Sequence, residues 1–370
     1  MRLFSIVGTR PEFIQSSTVY HATRAHSVPH YYIHTGQHYD SEMSLTFWEQ
    51  LDLGTPDYEL DIGSHSQGIQ TGLILSKLDA VFADAQLTEE DWILVYGDTN
   101  SVLAGSLAAA KCPAGLAHIE AGIRSGDWGM PEEVNRTAAD HLCDLALAPC
   151  YHAADNLITE GVPDERVVVI GDTIRAAYEK YVVAATLGTK VWEDLDIEFE
   201  NYILVTIHRP ENTDDKERLR RIVRALQILR QRGHQLVIPL HPRVDKRLFA
   251  GLPTISPVDY FDMLALETGA KLVITDSGGV QREAYYSRVP CVVLRNTTEW
   301  REIIRTGWAN LVPPFSSSTH TVPIHLETKV MADQCEERIG VDGSDVDVYP
   351  ALNGTELINR LKTTRGKQLH

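Results

Sequence analysis

Short, continuous apolar runs alternate along the chain with longer amphipathic stretches. The runs lie at 3–7, 31–34, 92–96, 115–119 and 145–148, then at 167–170, 202–206, 236–240, 272–275 and 291–294. Unbroken runs of this kind suit parallel strands covered on both faces, whereas strict alternation marks a half-exposed sheet. The stretches 12–25, 101–111 and 218–233 carry helical periodicity and are long enough for right-handed crossovers. The pattern predicts an α/β chain of two doubly wound, Rossmann-like halves. A boundary is expected near Gly171-Asp172-Thr173. It would separate a first domain, 1–171 with a C-terminal helix at about 355–370, from a second, 172–354. The segments 316–322 and 340–354 carry no clear element.

Composition narrows the partners. The 370 residues hold 34 Lys and Arg against 51 Asp and Glu, a net charge of −17. That balance repels nucleic acid and anionic membranes at long range, so neither is an expected partner. An anionic ligand would need a local cluster of cations and backbone N–H groups. No apolar run reaches the roughly eighteen residues of a membrane span. The N-terminal run ends in Gly8-Thr9-Arg10-Pro11-Glu12, which reads as the end of a first strand and not as a signal-peptide cleavage site. Cys112, Cys143, Cys150, Cys291 and Cys335 show no metal-ligand spacing and read as free thiols in a reducing cytoplasm.

In open α/β sheets, ligands bind beyond the carboxyl ends of the strands, so the residues just after each run carry the chemistry. After the first, Thr9 and Glu12 have capping-box spacing and Pro11 suits a first helical turn. Arg10 is not needed for capping and is a candidate for meeting a phosphate at a helix N-terminus. Asp98 follows the third run and reads equally as a cap. Glu120 follows the fourth in an apolar context, where a carboxylate is costly unless it is paired or protonated. Glu132 and Glu133 open a helix, where acids favour the macrodipole. Asp98, Glu120 and Glu132 together would supply carboxylates for proton transfer on opposite faces of a substrate.

The second half offers cations. His208-Arg209 and His241-Pro242-Arg243 each follow a strand, the local positive charge that an anion would require. Ser277-Gly278-Gly279 stands between a strand and a helix, where backbone N–H groups approach a diphosphate closely. Glu283 has two oxygens to offer the hydroxyls of a ribose.

These motifs stand in the order of one family. Gly8-Thr9-Arg10-Pro11-Glu12, Thr35-Gly36-Gln37-His38, Gly97-Asp98-Thr99, His118-Ile119-Glu120-Ala121-Gly122-Ile123-Arg124-Ser125, Pro131-Glu132-Glu133-Val134-Asn135-Arg136, His208-Arg209-Pro210-Glu211-Asn212 and Thr275-Asp276-Ser277-Gly278-Gly279 resemble the non-hydrolysing UDP-N-acetylglucosamine 2-epimerases, from the first strand to about Pro313. The resemblance implies a GT-B fold, two Rossmann-like domains with a cleft between them and a C-terminal helix returning to the first. It implies that Arg10, His208, His241, Ser277, Gly278, Gly279 and Glu283 contact or lie near UDP. Asp98, Glu120 and Glu132 match the catalytic acids, Arg136 lies beside them, and His208 also matters for catalysis.

The chemistry so implied needs no redox cofactor and no metal. One carboxylate removes the C2 proton as UDP leaves C1, a 2-acetamidoglucal and UDP stay trapped, and re-addition yields UDP-N-acetylmannosamine. Other readings stay open: a relative acting on a UDP-diacetamido-glucuronate, a GT-B glycosyltransferase, or a weakened UDP-sugar-binding protein. A cytoplasmic homodimer is expected. Three departures stand out. Gln15 replaces the usual Lys and is expected near Arg10, one helical turn on. Gln37-His38-Tyr39 replaces the Gln-His-Arg of a regulatory site. The tail retains only Val348-Tyr349-Pro350-Ala351-Leu352-Asn353-Gly354 of the family's Asn-Pro-Tyr-Gly-Asp-Gly.

Overall fold

A computed structural model describes residues 1–37, 47–241, 244–314 and 324–364, the side chains of 324–326 excepted. His38, Tyr39, Pro242, Arg243, the weak segment 316–322 and the end of the C-terminal helix expected to 370 lie outside the described residues. The chain divides into two compact units, Met1–Ala177 with Tyr349–His370, and Tyr178–Val348.

The first unit is built on a seven-stranded sheet of β1 (Leu3–Val7), β2 (His30–His34), β3 (Tyr58–Glu59), β4 (Trp92–Tyr96), β5 (Gly115–Ile119), β6 (Leu145–Ala148) and β7 (Val167–Val169). Its strand order is β3-β2-β1-β4-β5-β6-β7, and every pairing is parallel. β1, β4, β5 and β6 are buried along their whole length, which is why they read as unbroken apolar runs. The polar residue inside β1, Ser5, is satisfied by Tyr96 Oη at 2.6 Å and His30 Nε2 at 2.7 Å. The helix Gly354–Thr363 packs on the helix Arg10–Ala25, and Trp92 Nε1 donates to Leu361 O at 3.1 Å. Gly354 is required there, since a Cβ would stand 2.7 Å from that of Ala22.

The second unit has six parallel strands, β8 (Tyr202–Thr206), β9 (Gln235–Pro239), β10 (Thr254–Ile255), β11 (Leu272–Thr275), β12 (Cys291–Val293) and β13 (Ala309–Leu311), in the order β10-β9-β8-β11-β12-β13. Its helix Lys216–Gln231 buries Leu219, Ile222, Val223, Leu226 and Leu229 on one stripe against β8 and β9.

Both sheets reverse direction of travel at one place, between β1 and β4 in the first and between β8 and β11 in the second. At such a switch point the connections leave to opposite sides and open a crevice beyond the strand ends. The motifs after β1, β4, β8 and β11 are the ones that fall there. β3, β10 and β13 were not anticipated, because edge strands of two or three residues are too short to show a period.

Candidate active site

In the first unit the switch point is bridged by Glu12. Its Oε2 accepts from the N–H groups of Gly8 (2.6 Å) and Thr9 (2.8 Å), and its Oε1 accepts from Thr99 Oγ1 (2.5 Å). The capping role is present, but the same side chain also ties the loop after β1 to the loop after β4. Burial pushes its carboxyl up to about 7, outweighing the hydrogen bonds from Thr99, Gly8 and Thr9 that favour ionisation. The folded protein therefore holds a proton that an exposed carboxyl releases near 4.5. Stability should fall as pH rises from about 4.5 through about 7, by at most on the order of 3 kcal/mol, and level off about one pH unit higher. Glu12→Gln is expected to flatten that slope. Melting temperatures from about pH 5 to about pH 8 check this, and parallel curves for parent and variant would refute it.

Glu120 stands one residue past β5 with φ of +73°, a left-handed conformation that costs a non-glycine residue about 1–2 kcal/mol. Its Oε2 accepts from Gln15 Nε2 at 2.5 Å, and its Oε1 lies 3.7 Å from where a Cβ on Gly97 would stand. The loops after β4 and β5 are thus brought together. Gln15 is buried and serves as a partner of this carboxylate, while Arg10 lies over the Phe47 ring at 4.7 Å.

Asp98, whose side chain is 28% exposed, is ion-paired with Arg136, and its carbonyl accepts from Asn135 Nδ2 at 2.9 Å. Both partners belong to the helix Pro131–Leu142, so the start of that helix, including Glu132 at its second residue, is docked on the Asp98 loop. Glu132 is half-buried. Its neighbour Glu133 does more than favour the macrodipole. It accepts from Ser125 N (3.0 Å), Ser125 Oγ (2.8 Å) and Gly126 N (2.8 Å), and it pairs with Arg136 at 3.1 Å. It fixes the loop that leads into the helix.

The second unit repeats the device with Asp276, a wholly buried carboxylate just past β11. It accepts from His208 N (3.1 Å), Arg209 N (3.1 Å) and Asn212 Nδ2 (2.8 Å), and His208 Nδ1 lies 2.8 Å away. Burial alone would raise its pKa, but the hydrogen bonds and charge of His208 and the Asn212 amide hold it below the usual range. The His208 side chain is 42% exposed, so Nδ1 is anchored and the Nε2 edge is the one available for chemistry. His241 is exposed, with its ring 6.1 Å from that of His208. Arg209 is held by the Asp276 carbonyl (3.0 Å) and by Glu299 (3.6 Å).

Ser277 caps the helix Gly278–Tyr286, its Oγ accepting from Val280 N at 3.4 Å. A Cβ on Gly278 would meet Glu299 Oε1 at 2.9 Å and Trp300 Nε1 at 3.3 Å. Its φ is not positive, so glycine is required by this close approach rather than by an unusual backbone angle. A Cβ on Gly279 would make only ordinary contacts, with Ser277 Oγ at 3.8 Å and Glu283 Oε2 at 4.0 Å. Glu283 follows one turn later, and its Oε1 accepts from Tyr260 Oη at 3.3 Å. Asp276, Glu299 and Glu12 escaped sequence reasoning. Each looks like an ordinary cap or surface acid until its distant donors are known.

Among the described residues, no cluster of His, Cys, Asp and Glu could hold a metal ion, and no helix is long and apolar enough to cross a membrane. Two Rossmann-like units with their polar residues gathered at the switch points define a protein of GT-B fold. The chain belongs to the UDP-N-acetylglucosamine 2-epimerase family, whose model matches residues 21–331. It is 43% identical over 327 residues to a UDP-N-acetylglucosamine 2-epimerase homolog of Methanococcus maripaludis, covering 84% of this chain and 88% of that one. It is 41% identical over 316 residues to the UDP-2,3-diacetamido-2,3-dideoxy-D-glucuronate 2-epimerase of Pseudomonas aeruginosa, covering 83% and 87%. The Methanocaldococcus jannaschii UDP-GlcNAc 2-epimerase, solved in complex with UDP-GlcNAc and UDP, superposes with a TM-score of 0.87 at 35% identity, covering 98% of this chain and 99% of that one.

Proposed function

We propose that the protein interconverts UDP-N-acetylglucosamine and UDP-N-acetylmannosamine by elimination and re-addition of UDP. The observation that carries this reading is the pair of carboxylates, Asp98 and Glu120, on the adjoining ends of β4 and β5 in a chain of this family. One of the acids Asp98, Glu120 and Glu132 takes the C2 proton, and the electron pair of that bond forms the C1–C2 double bond as UDP leaves C1. A 2-acetamidoglucal results. UDP then adds back to C1 while a proton is delivered to the other face of C2. Arg136, paired with Asp98, holds that carboxylate in place.

By the same reading the second unit holds the nucleotide. The backbone N–H groups of Gly278 and Gly279 at the start of the helix Gly278–Tyr286 and the His208–His241 pair meet the diphosphate, and Glu283 meets the ribose. These groups stabilise charge as it develops on departing UDP. Gly278→Val is expected to weaken UDP binding by about tenfold, because its Cβ displaces the Glu299 carboxylate that Arg209 and Arg295 hold. Calorimetric titration with UDP checks this, and parental affinity in the folded variant would remove the turn from the site. The five cysteines, none in a disulfide and four of them buried, support a reducing, cytoplasmic setting.

A second reading is favoured by the Pseudomonas aeruginosa relative, which is named for a diacetamido-glucuronate. One experiment addresses both. The protein is incubated without acceptor in deuterated water, separately with UDP-N-acetylglucosamine and with UDP-2,3-diacetamido-2,3-dideoxy-D-glucuronate. Deuterium at C2 together with the 2-epimer identifies the substrate. Release of UDP and free sugar alone would mean hydrolysis, and an unchanged C2 in both would sink the epimerase reading.

A further inference from the structure

Two residues before Glu120, the His118 side chain is wholly buried. Its Nε2 lies 2.7 Å from Gly97 O, and its Nδ1 lies 2.7 Å from Asp140 Oδ1. A carbonyl and an ionised carboxylate only accept hydrogen bonds, so both ring nitrogens of His118 face acceptors. Asp140, equally buried, accepts from Gly122 N at 3.1 Å and pairs with Arg124 at 2.7 Å. Arg124 in turn forks onto Glu160, at 2.9 Å and 2.6 Å. Asp140, Arg124 and Glu160 alternate in charge, which offsets the cost of burying the Asp140 carboxylate away from solvent. His118 and Arg124 also hold the Asp140 carboxyl below its usual range against the effect of burial.

The His118–Asp140 pair at one end of this relay grips the two turns that bear the candidate acids. Gly97 precedes Asp98, and Gly122 follows Glu120 by two residues. All three of Gly97, Glu120 and Gly122 have positive φ, at +71°, +73° and +81°. For Glu120 that conformation persists only where its surroundings impose it. The ring of His118 on the Gly97 carbonyl and the carboxylate of Asp140 on the Gly122 N–H are such constraints.

We infer that His118 and Asp140 are positioning residues, which hold the Gly97-Asp98 and Glu120-Gly122 turns in one geometry and so set the reach of both carboxylates to the C2 proton. The inference rests on the epimerase reading. Neither side chain touches substrate. Their contribution is to proton transfer, for which a misplacement of about 1 Å can cost on the order of 10²-fold.

The test uses the full-length protein and steady-state kinetics with UDP-N-acetylglucosamine, or with the diacetamido-glucuronate if that is what the parent turns over. Turnover of neither by the parent ends the epimerase reading itself, and the inference with it. Given a parent that turns over, His118→Gln and Asp140→Asn should each lower kcat about 10–100-fold, with KM and the Kd for UDP within about twofold. The double variant Glu120→Gln/His118→Gln should be slower than Glu120→Gln by less than the factor that His118→Gln costs alone, since the part of the His118 effect that acts through Glu120 is already lost. Parental kcat in a folded His118→Gln or Asp140→Asn overturns the inference. So does an equal loss of UDP affinity, or a double variant slower by the product of the single effects. Failure of both single variants to fold overturns it too, because it assigns the pair to stability.

Discussion

Glu120→Gln is expected to lower the rate of C2 exchange by roughly 10²–10⁴, and Asp98→Asn to do the same, with UDP affinity at the parental level. Each change keeps the shape of the side chain and removes its capacity to carry a proton. In Glu120→Gln the new amide retains a carbonyl oxygen for the bond that Gln15 Nε2 makes with Glu120, so the turn after β5 keeps that contact. At Asp98 the consequence is wider. Arg136 loses its charged partner there but keeps Glu133 at 3.1 Å, which should hold the helix start in place. The two variants therefore separate chemistry from architecture. The deciding measurement is deuterium incorporation at C2, read beside UDP titration and melting temperature. Unchanged turnover in either folded variant removes that residue from the mechanism.

Asp276→Asn should reduce kcat by on the order of 10²–10³, although Asp276 itself is wholly buried. Its two oxygens face donors on all sides: the N–H groups of His208 and Arg209, the Asn212 amide and the His208 ring. An Asn amide can turn only one acceptor toward them, and its NH₂ then opposes a donor or forces the His208 ring into the other tautomer. Either outcome spoils the presentation of Nε2, where charge on the departing diphosphate is proposed to develop. A buried donor left without an acceptor costs about 1–3 kcal/mol, so the melting temperature should fall as well. His208→Asn, compared in parallel, separates the two effects. If the kcat loss comes through His208, the double variant is no slower than His208→Asn alone. A folded Asp276→Asn with parental kcat would show that the carboxylate does not set the pose of His208.

What could be read from the chain and what could not divides along physical lines. Strand and helix identities are local, and β4 with its WILVY run is legible because five consecutive buried side chains leave no other pattern. The placement of Ser277-Gly278-Gly279 at a helix start is legible for the same reason, since capping involves neighbours three residues apart. The motif order, taken as a whole, carried the resemblance to the family. The partners of the motif residues were not legible. Glu12 satisfies a capping box locally, so nothing in the sequence signals that Thr99, 87 residues away, completes its coordination. Gln15 was expected near a phosphate-binding Arg10, yet it meets Glu120 across 105 residues. Asp140 shows no motif at all, and only the packing of its helix beneath β5 brings it to His118. Apolar patterning is imposed residue by residue through burial, and the sequence by itself determined the parallel sheets and the strand ends where chemistry sits. The identity of each carboxylate's donors, and with it charge, orientation and pKa, depends on distances between segments that only the assembled sheet makes neighbours, and these the tertiary structure alone decided.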